Sequence, residues 1–160
     1  MEIDKDIPGY KAFNKGLINR YGKVFEEGKI YRINNDIKWG NDGNGFHFCT
    51  YLEDTLRYFD GLNEEIDICK VMGSGNYVVY DDDYYGYYNM YATEYLKIIK
   101  NLTREEIIKE TEKMWFERLN RFISGFKLTQ EEFESIIASH NKYEANTLMK
   151  TYSLHQKSHN

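Results

Sequence analysis

The chain has 160 residues, of which 41% are apolar, and carries a net charge of −5. This length fits one domain with room for an appendage, and the apolar share is enough for a packed core, which excludes general disorder. The acidic balance argues against a generic nucleic-acid-binding surface. No apolar run reaches the roughly 20 residues that cross a bilayer, and the first residues lack the form of a signal peptide, so we expect a cytoplasmic protein.

The first third of the chain predicts short strands. Residues 10–13 lie between Gly9 and a polar Asn-Lys-Gly segment, and residues 28–33 alternate between apolar and polar side chains, so both predict strands. Residues 41–45 contain Asp-Gly and Asn-Gly pairs, which tolerate a positive φ and so predict a turn. This turn leads into a third predicted strand at residues 46–49.

The middle of the chain predicts one helix and further strands. Thr50 and Glu53 have the spacing of a capping box, which predicts a helix directly after the third strand. Residues 66–80 contain two strand-like stretches on either side of the Gly-Ser-Gly-Asn sequence at 73–76, and this pattern predicts a hairpin. Residues 91–99 fit either a strand or a short helix, and their bulky apolar side chains favour the strand.

The last third of the chain predicts helices. Thr103 and Thr129 each precede a glutamate by three residues and begin a predicted helix, and Gly125 is placed to end the first one. We expect residues 103–150 to form a helical hairpin, packed on the sheet or paired with a second copy, and residues 151–160 to form a polar tail. The large side chains expected in its core are Trp115, Leu119, Phe122, Phe133, Ile137 and Leu148.

These elements define an α+β fold, with a small mixed or antiparallel sheet and one packed helix over residues 1–100, followed by the helical hairpin. Cys49 and Cys69 lie in different predicted strands without histidines at ligand spacing, so we expect two reduced core thiols. Residues 81–83 are three consecutive aspartates, but the calcium-loop pattern is absent. We therefore predict no metal site.

A dense group of tyrosines lies between residues 77 and 95. A strand buries only about half of its side chains, so several of these rings must meet either solvent or a partner. Exposed tyrosine beside aspartate is typical of recognition loops, although core and rim positions remain the alternative. The predicted partner-binding residues are Asp81, Asp82, Asp83, Tyr84, Tyr85, Tyr87 and Tyr88.

The segments at residues 9–14, 28–31, 45–49 and 92–99 resemble a family of short proteins from phages, prophages and other mobile elements of low-GC Gram-positive bacteria. The resemblance covers about residues 9–110 and implies a mobile-element context. The leading hypothesis is a non-enzymatic, protein-binding accessory factor without a cofactor, such as an inhibitor of a host defence system. Its partner would be a host protein, for example a basic nucleic-acid-handling one, in the host cytoplasm, with no direct contact to nucleic acid.

The order of elements also resembles, more loosely, the ADP-ribosyltransferase fold. That resemblance implies an enzyme, or an inactive relative, that uses NAD. Its candidate catalytic residues are Tyr10 on the first strand, His47 before the helix and Glu94 on the late strand. The two hypotheses differ in one respect, because the enzyme needs these three side chains to converge in a cleft and the inhibitor does not.

Overall fold

The computed structural model describes residues 6–34, 36–38, 44–81 and 89–156. Within them, five antiparallel strands precede four α-helices, which confirms the predicted α+β class. The strands are β1 (Ile7–Asn14), β2 (Ile30–Arg32), β3 (Phe46–Cys49), β4 (Ile66–Asp81) and β5 (Asn89–Asn101). The helices are α1 (Arg104–Glu110), α2 (Phe116–Gly125), α3 (Gln130–Ile137) and α4 (Lys142–Gln156), with 3-10 helices at Leu52–Arg57 and Thr111–Lys113.

The sheet closes on itself. Its strands lie in the order β2-β5-β3-β1-β4, and β4 also pairs with β5, so β5, β3, β1 and β4 form a closed ring. The pairing of β4 with β5 shifts register between Lys70 and Val71 and again between Ser74 and Tyr77. Such irregularities bend and twist a strand, which allows two long strands to wrap around so small a ring.

The interior of the ring is packed around Phe48. A Cβ atom on Gly9 or on Gly73 would lie 2.5 Å from carbon atoms of this ring, closer than van der Waals contact allows. The two glycines therefore leave the space that the aromatic ring fills. The same interior cluster contains Phe13, Leu17, Phe25, Phe46, Cys69, Val71, Leu96 and Ile98.

The predicted hairpin at residues 66–80 is wrong, because these residues belong to one continuous strand, β4. The glycines that suggested a turn have other roles. Gly73 makes room for Phe48, and Gly75 takes a φ of +80° at the bulge, where a Cβ atom would clash with Tyr95 and Glu94. The ambiguous stretch at 91–99 is a strand, as preferred. Residues 41–43 of the predicted turn lie outside the described residues.

The helices cover part of the outer face of the ring. Ala12 of β1 and Ile68 of β4 belong to a second apolar cluster, which includes Leu119, Phe122 and Leu148 from α2 and α4. No helix among the described residues is long and apolar enough to span a membrane.

Two of the three predicted capping boxes are confirmed. Thr103 and Thr129 both accept a backbone hydrogen bond from the glutamate three residues on, which bonds back in turn. The third, from Thr50 to Glu53, is wrong. The 3-10 helix there has Tyr51 at its N-cap position without a side-chain cap, because the Glu53 carboxylate binds Arg118 instead.

The predicted helical hairpin is four helices rather than two. Gly125 is the last residue of α2 and not a left-handed cap, and Leu56 packs against it. Trp115 is 44% exposed, so its predicted core position is wrong, and Ile137 is only partly buried. Residues 151–156, expected in a polar tail, continue α4, where the buried Gln156 side chain hydrogen-bonds the backbone after α2. The other four predicted core side chains are buried: Leu119, Phe122, Phe133 and Leu148.

A buried ionic cluster joins the 3-10 helix to α2. Glu53 is completely buried, and its Oε2 and Oε1 atoms accept hydrogen bonds from Arg118 at 2.5 and 2.9 Å. The neighbouring Asp54 accepts a bond of 2.9 Å from Arg121. The Arg118 guanidinium also lies 4.1 Å from the ring centre of Tyr51. Two adjacent acids of the first part of the chain thus form ion pairs with two arginines of α2, although burial still raises the pKa of Asp54 to about 7.

We expect Gly73→Ala to lower the free energy of unfolding by about 1–3 kcal/mol, because its Cβ atom overlaps the Phe48 ring. Chemical denaturation measures this. The Phe48→Leu single variant is the control, and the double variant should lose less stability than the sum of the two single losses. Strict additivity would show that the glycine and the ring do not compete for space.

We expect Arg118→Met to cost about 3–5 kcal/mol of stability, since it leaves the buried Glu53 carboxylate without its main partner. Adding Glu53→Met should recover much of this loss, because an apolar pair of similar volume replaces the ion pair. Denaturation curves check both values. Lys100→Ala, which removes an exposed ion pair with Glu106, serves as control and should leave the curve nearly unchanged.

Candidate functional site

A cleft opens between β1 and β3. The two strands share a single paired position, Tyr10 opposite Cys49. A cavity of about 480 Å³ lies beside this position, between the loop that follows β1 and the 3-10 helix that follows β3. Its polar lining residues are Lys11, Asn19, Arg20, Lys23, Asn44, His47 and Thr55. Its apolar and aromatic lining includes Tyr10, Ala12, Phe25, Ile33, Phe46, Phe48, Cys49, Tyr58 and Phe59.

Lys11 lies where the ladder between β1 and β3 would continue. Its Nζ atom donates a hydrogen bond of 2.5 Å to the main-chain oxygen of His47. Burial lowers the pKa of Lys11 to about 8, and the charge of Arg20 acts in the same direction. An ammonium group thus occupies the gap between the two strands, in the wall of the cleft.

His47 faces away from the packed rings of Phe46 and Phe48 and is half-buried. Its Nδ1 atom lies 3.2 Å from the main-chain oxygen of Gly45. Burial lowers the pKa of His47, and the charge of Lys11 lowers it further. The imidazole is therefore neutral near pH 7, because its ordinary pKa is already about 6.5.

The loop after β1 is folded tightly, and its cleft-lining residues include Arg20, Tyr21 and Lys23. The Asn19 Oδ1 atom accepts hydrogen bonds from the backbone of Tyr21 and Lys23, at 3.0 and 2.9 Å. The turn projects Arg20 and the 80%-exposed ring of Tyr21 at the cleft. The Lys23 ammonium lies 5.0 to 5.9 Å from the ring centres of three aromatic residues, which are Phe25, Tyr31 and Phe46.

The cleft is basic although the protein is acidic. Among the described residues, its lining contains Lys11, Arg20, Lys23 and His47 but no aspartate or glutamate. Sequence reasoning missed Arg20 and Lys23, because only the folding of their loop brings them to His47. The sequence signal that could have suggested a role for them is the mixture of basic and aromatic residues at positions 20–25.

The three candidate catalytic residues do not converge. Tyr10 and His47 both line the cleft, but the Tyr10 hydroxyl donates a hydrogen bond of 2.7 Å to Glu110. Glu94 is not among the lining residues. Its carboxylate is 3.1 Å from Arg32 Nε and accepts a 3.1 Å bond from the Asn76 backbone, at the bulge of β4. The structure thus brings two of the three residues to one cavity and holds the third in a separate ion pair.

Most of the predicted partner-binding residues lie outside the described residues, as does the side chain of Asp81 at the end of β4. These residues are Asp82, Asp83, Tyr84, Tyr85, Tyr87 and Tyr88. The described end of β4 nevertheless exposes large side chains: Tyr77 by 54%, Val79 by 43% and Tyr80 by 40%. Among the described residues, β4 pairs with β1 only up to Gly73, and beyond it with β5 alone.

Cys49 and Cys69 are buried free thiols, as predicted. Burial raises the pKa of each to about 12, so both remain protonated at neutral pH. A protonated thiol is a poor nucleophile and a poor metal ligand. Within the described part of the chain, no group of three or more potential metal-binding side chains is assembled.

These features define a small α+β protein, built on a closed antiparallel ring with a basic cleft between β1 and β3. Residues 7–110 match the family described as a domain of unknown function, DUF7666, and the chain belongs to this family. All residues that line the cleft fall inside the matched region, whereas α2, α3 and α4 lie beyond it. No curated protein matches the chain. No solved structure matches it.

We expect the Lys11 ammonium to titrate near pH 8, well below the ordinary lysine value of about 10.4. Because the folded-state pKa lies below the unfolded one, the unfolded chain binds more protons between these values. The contribution of Lys11 to stability therefore rises as the pH increases from about 8 to about 10.4. The Cε resonance of Lys11, followed by NMR, reports the titration, and Lys11→Met should remove it. A midpoint above pH 10 would contradict the burial described here.

Proposed function

We propose that this protein is a binding protein that holds a small anionic ligand in the cleft between β1 and β3. One observation carries the proposal: the cleft gathers three cationic side chains and His47 without a carboxylate, in a chain whose net charge is −5. The charge of Arg20 lowers the pKa of Lys11, and the charges of Lys11 and Arg20 both lower the pKa of His47, so positive charge is concentrated here. A negatively charged ligand relieves this repulsion, so the assembly favours anions.

Binding without turnover fits the chemistry of the lining. The Cys49 thiol is protonated, and the Thr55 hydroxyl is engaged with the main-chain oxygen of Leu52. The glutamate that the ADP-ribosyltransferase resemblance requires, Glu94, is paired with Arg32 away from the cleft. We therefore favour a non-enzymatic role over an enzyme that uses NAD.

A second candidate function is recognition of a partner protein at the end of β4. Two observations favour it. Tyr77, Val79 and Tyr80 are exposed, and among the described residues this part of β4 pairs with β5 alone. A strand of a partner could extend the sheet there through main-chain hydrogen bonds. The resemblance to phage proteins suggests a mobile-element context. In that context, such a surface would suit an inhibitor that binds a host defence protein in the host cytoplasm.

We expect a small anion to bind the cleft and to raise the melting temperature further as the ratio of its concentration to its dissociation constant increases. A thermal-shift screen of inorganic and organic anions measures this. Arg20→Gln and Lys23→Gln should each weaken binding about tenfold, whereas Lys109→Gln, on an exposed face of α1, should not change it. If no anion stabilises the protein, or if Lys109→Gln weakens binding as strongly as the cleft variants, the proposed function fails.

For the second candidate, we expect Tyr77→Ser with Tyr80→Ser to leave the melting temperature nearly unchanged and to weaken capture of a host partner by about 2 kcal/mol or more. Affinity capture from a host lysate, followed by titration of the identified protein, provides the measurement. The matched control is Tyr143→Ser, an exposed tyrosine of α4. Equal capture by the double variant and the wild type would place any partner surface elsewhere.

A further inference from the structure

The size of the cleft argues against a simple inorganic anion as its ligand. Cavities of about 300–1,000 Å³ normally hold organic molecules of drug or cofactor size, and this one measures about 480 Å³. An isolated phosphate or sulfate ion would leave most of this volume to water. The ligand therefore needs a substantial uncharged part beside its charged group.

The hydrogen-bonding groups of the cleft are mostly donors. The Oδ1 atoms of Asn19 and Asn44 both accept backbone hydrogen bonds, Asn44 from Lys38 at 3.0 Å, so their amide oxygens are already used. Lys11, Arg20 and Lys23 add cationic donors to the lining. A ligand that satisfies this lining presents many acceptor oxygens, as phosphoryl groups do.

The charge of the lining suits a phosphorylated ligand better than a single carboxylate. Three cations and a neutral His47 balance about two or three negative charges, and one phosphate monoester carries about −1.5 to −2 at pH 7. A diphosphate therefore neutralises the cluster, whereas one carboxylate leaves most of the repulsion in place.

The uncharged part of the cleft is aromatic. Phe25 and Phe46 are buried beneath the Lys23 ammonium, so the accessible aromatic ring on this side of the cleft is that of Tyr21, which projects from the turn. Tyr58 and Phe59 form part of the opposite wall, after the 3-10 helix. Flat heteroaromatic rings stack on such side chains, and stacking contributes about 1–3 kcal/mol per base in nucleic-acid complexes.

Resting on the proposed function, we propose that the ligand of the cleft is a nucleoside phosphate. Its phosphoryl oxygens lie among Lys11, Arg20 and the amide groups, and its base lies against the aromatic lining. Tyr21 and Arg20 belong to one turn, which Asn19 holds in shape, so the same short segment contacts both halves of the ligand. No bond is made or broken in the cleft.

Isothermal titration calorimetry of the full chain tests this ligand class with separated probes. The probes are the four common nucleoside 5′-diphosphates, one uncharged nucleoside, pyrophosphate and 4-hydroxybenzoate. We expect at least one nucleoside diphosphate to bind ten times or more tightly than pyrophosphate, the nucleoside and the benzoate. Proton-nitrogen spectra should show shifts at Gly45, His47 and Tyr21 on binding.

Two variants test which residue contacts the phosphate groups of the ligand and which contacts its base. Arg20→Gln should weaken the diphosphate at least tenfold without changing the affinity for the nucleoside, and Tyr21→Ala should weaken both by a similar factor. Both residues are exposed, so the variants should fold, which a thermal melt verifies, and Lys109→Gln is the matched control.

The outcomes separate the two proposals. If pyrophosphate binds as tightly as every nucleoside diphosphate, or if the benzoate binds best, the proposal of a nucleoside phosphate ligand is wrong. The proposal of an anion-binding cleft would still stand. Diphosphate binding that is insensitive to both Arg20→Gln and Tyr21→Ala overturns the placement in this cleft. Failure of every anionic probe to bind overturns the nucleoside phosphate, and a negative thermal-shift screen would then remove the proposed function as well.

Discussion

The buried carboxylate of Glu53 joins the strand-rich first part of this protein to its C-terminal helices. A fully buried charge is tolerated only when hydrogen-bonding partners replace the lost water, and Arg118 and Arg121 of α2 provide them. The pair fixes the 3-10 helix against α2, and Tyr58 and Phe59, which follow this helix, form one wall of the cleft. The shape of the cleft therefore depends on a helix that contributes no residue to its lining.

Closure of the ring explains why the cleft exists at all. β4 and β5 pair along most of their length and bend around the Phe48 ring, but β1 and β3 meet at one position only. The remaining gap is filled by the Lys11 side chain, which bonds to a main-chain oxygen where a neighbouring strand would otherwise donate. A closed sheet in which two strands pair at one position only thus combines a packed interior with an accessible cleft in its wall.

Local patterns predicted most of the secondary structure. The strands, the α+β class, the capping boxes at Thr103 and Thr129 and the buried thiols depend on nearest neighbours, which sequence displays directly. The errors arose where a distant contact decides the conformation. The glycines at 73 and 75 look like a turn unless Phe48 and Glu94 are known to press against them, and Glu53 looks like a capping residue unless Arg118 is known to lie beside it.

The candidate site was predicted in part for the same reason. Tyr10 and His47 were singled out from their strands and do line the cleft, whereas Glu94 shares their sheet but not their cavity. Arg20 and Lys23 could not be placed, because neither periodicity nor spacing relates a loop to a strand more than twenty residues away. Their position follows from the turn that Asn19 organises and from the aromatic rings under Lys23.

The ionic cluster also bears on how the family can vary in length. The matched region ends at residue 110, yet the arginines that form ion pairs with two of its buried acids, Glu53 and Asp54, in the described part of the chain are Arg118 and Arg121, which lie beyond that boundary. A homologue that stops at the boundary must replace both acids with apolar residues or recruit guanidinium groups from another chain. Family members that have acidic residues at the positions of Glu53 and Asp54 should consequently also have a helix with two arginines three residues apart. Members without that helix should lack the two acids.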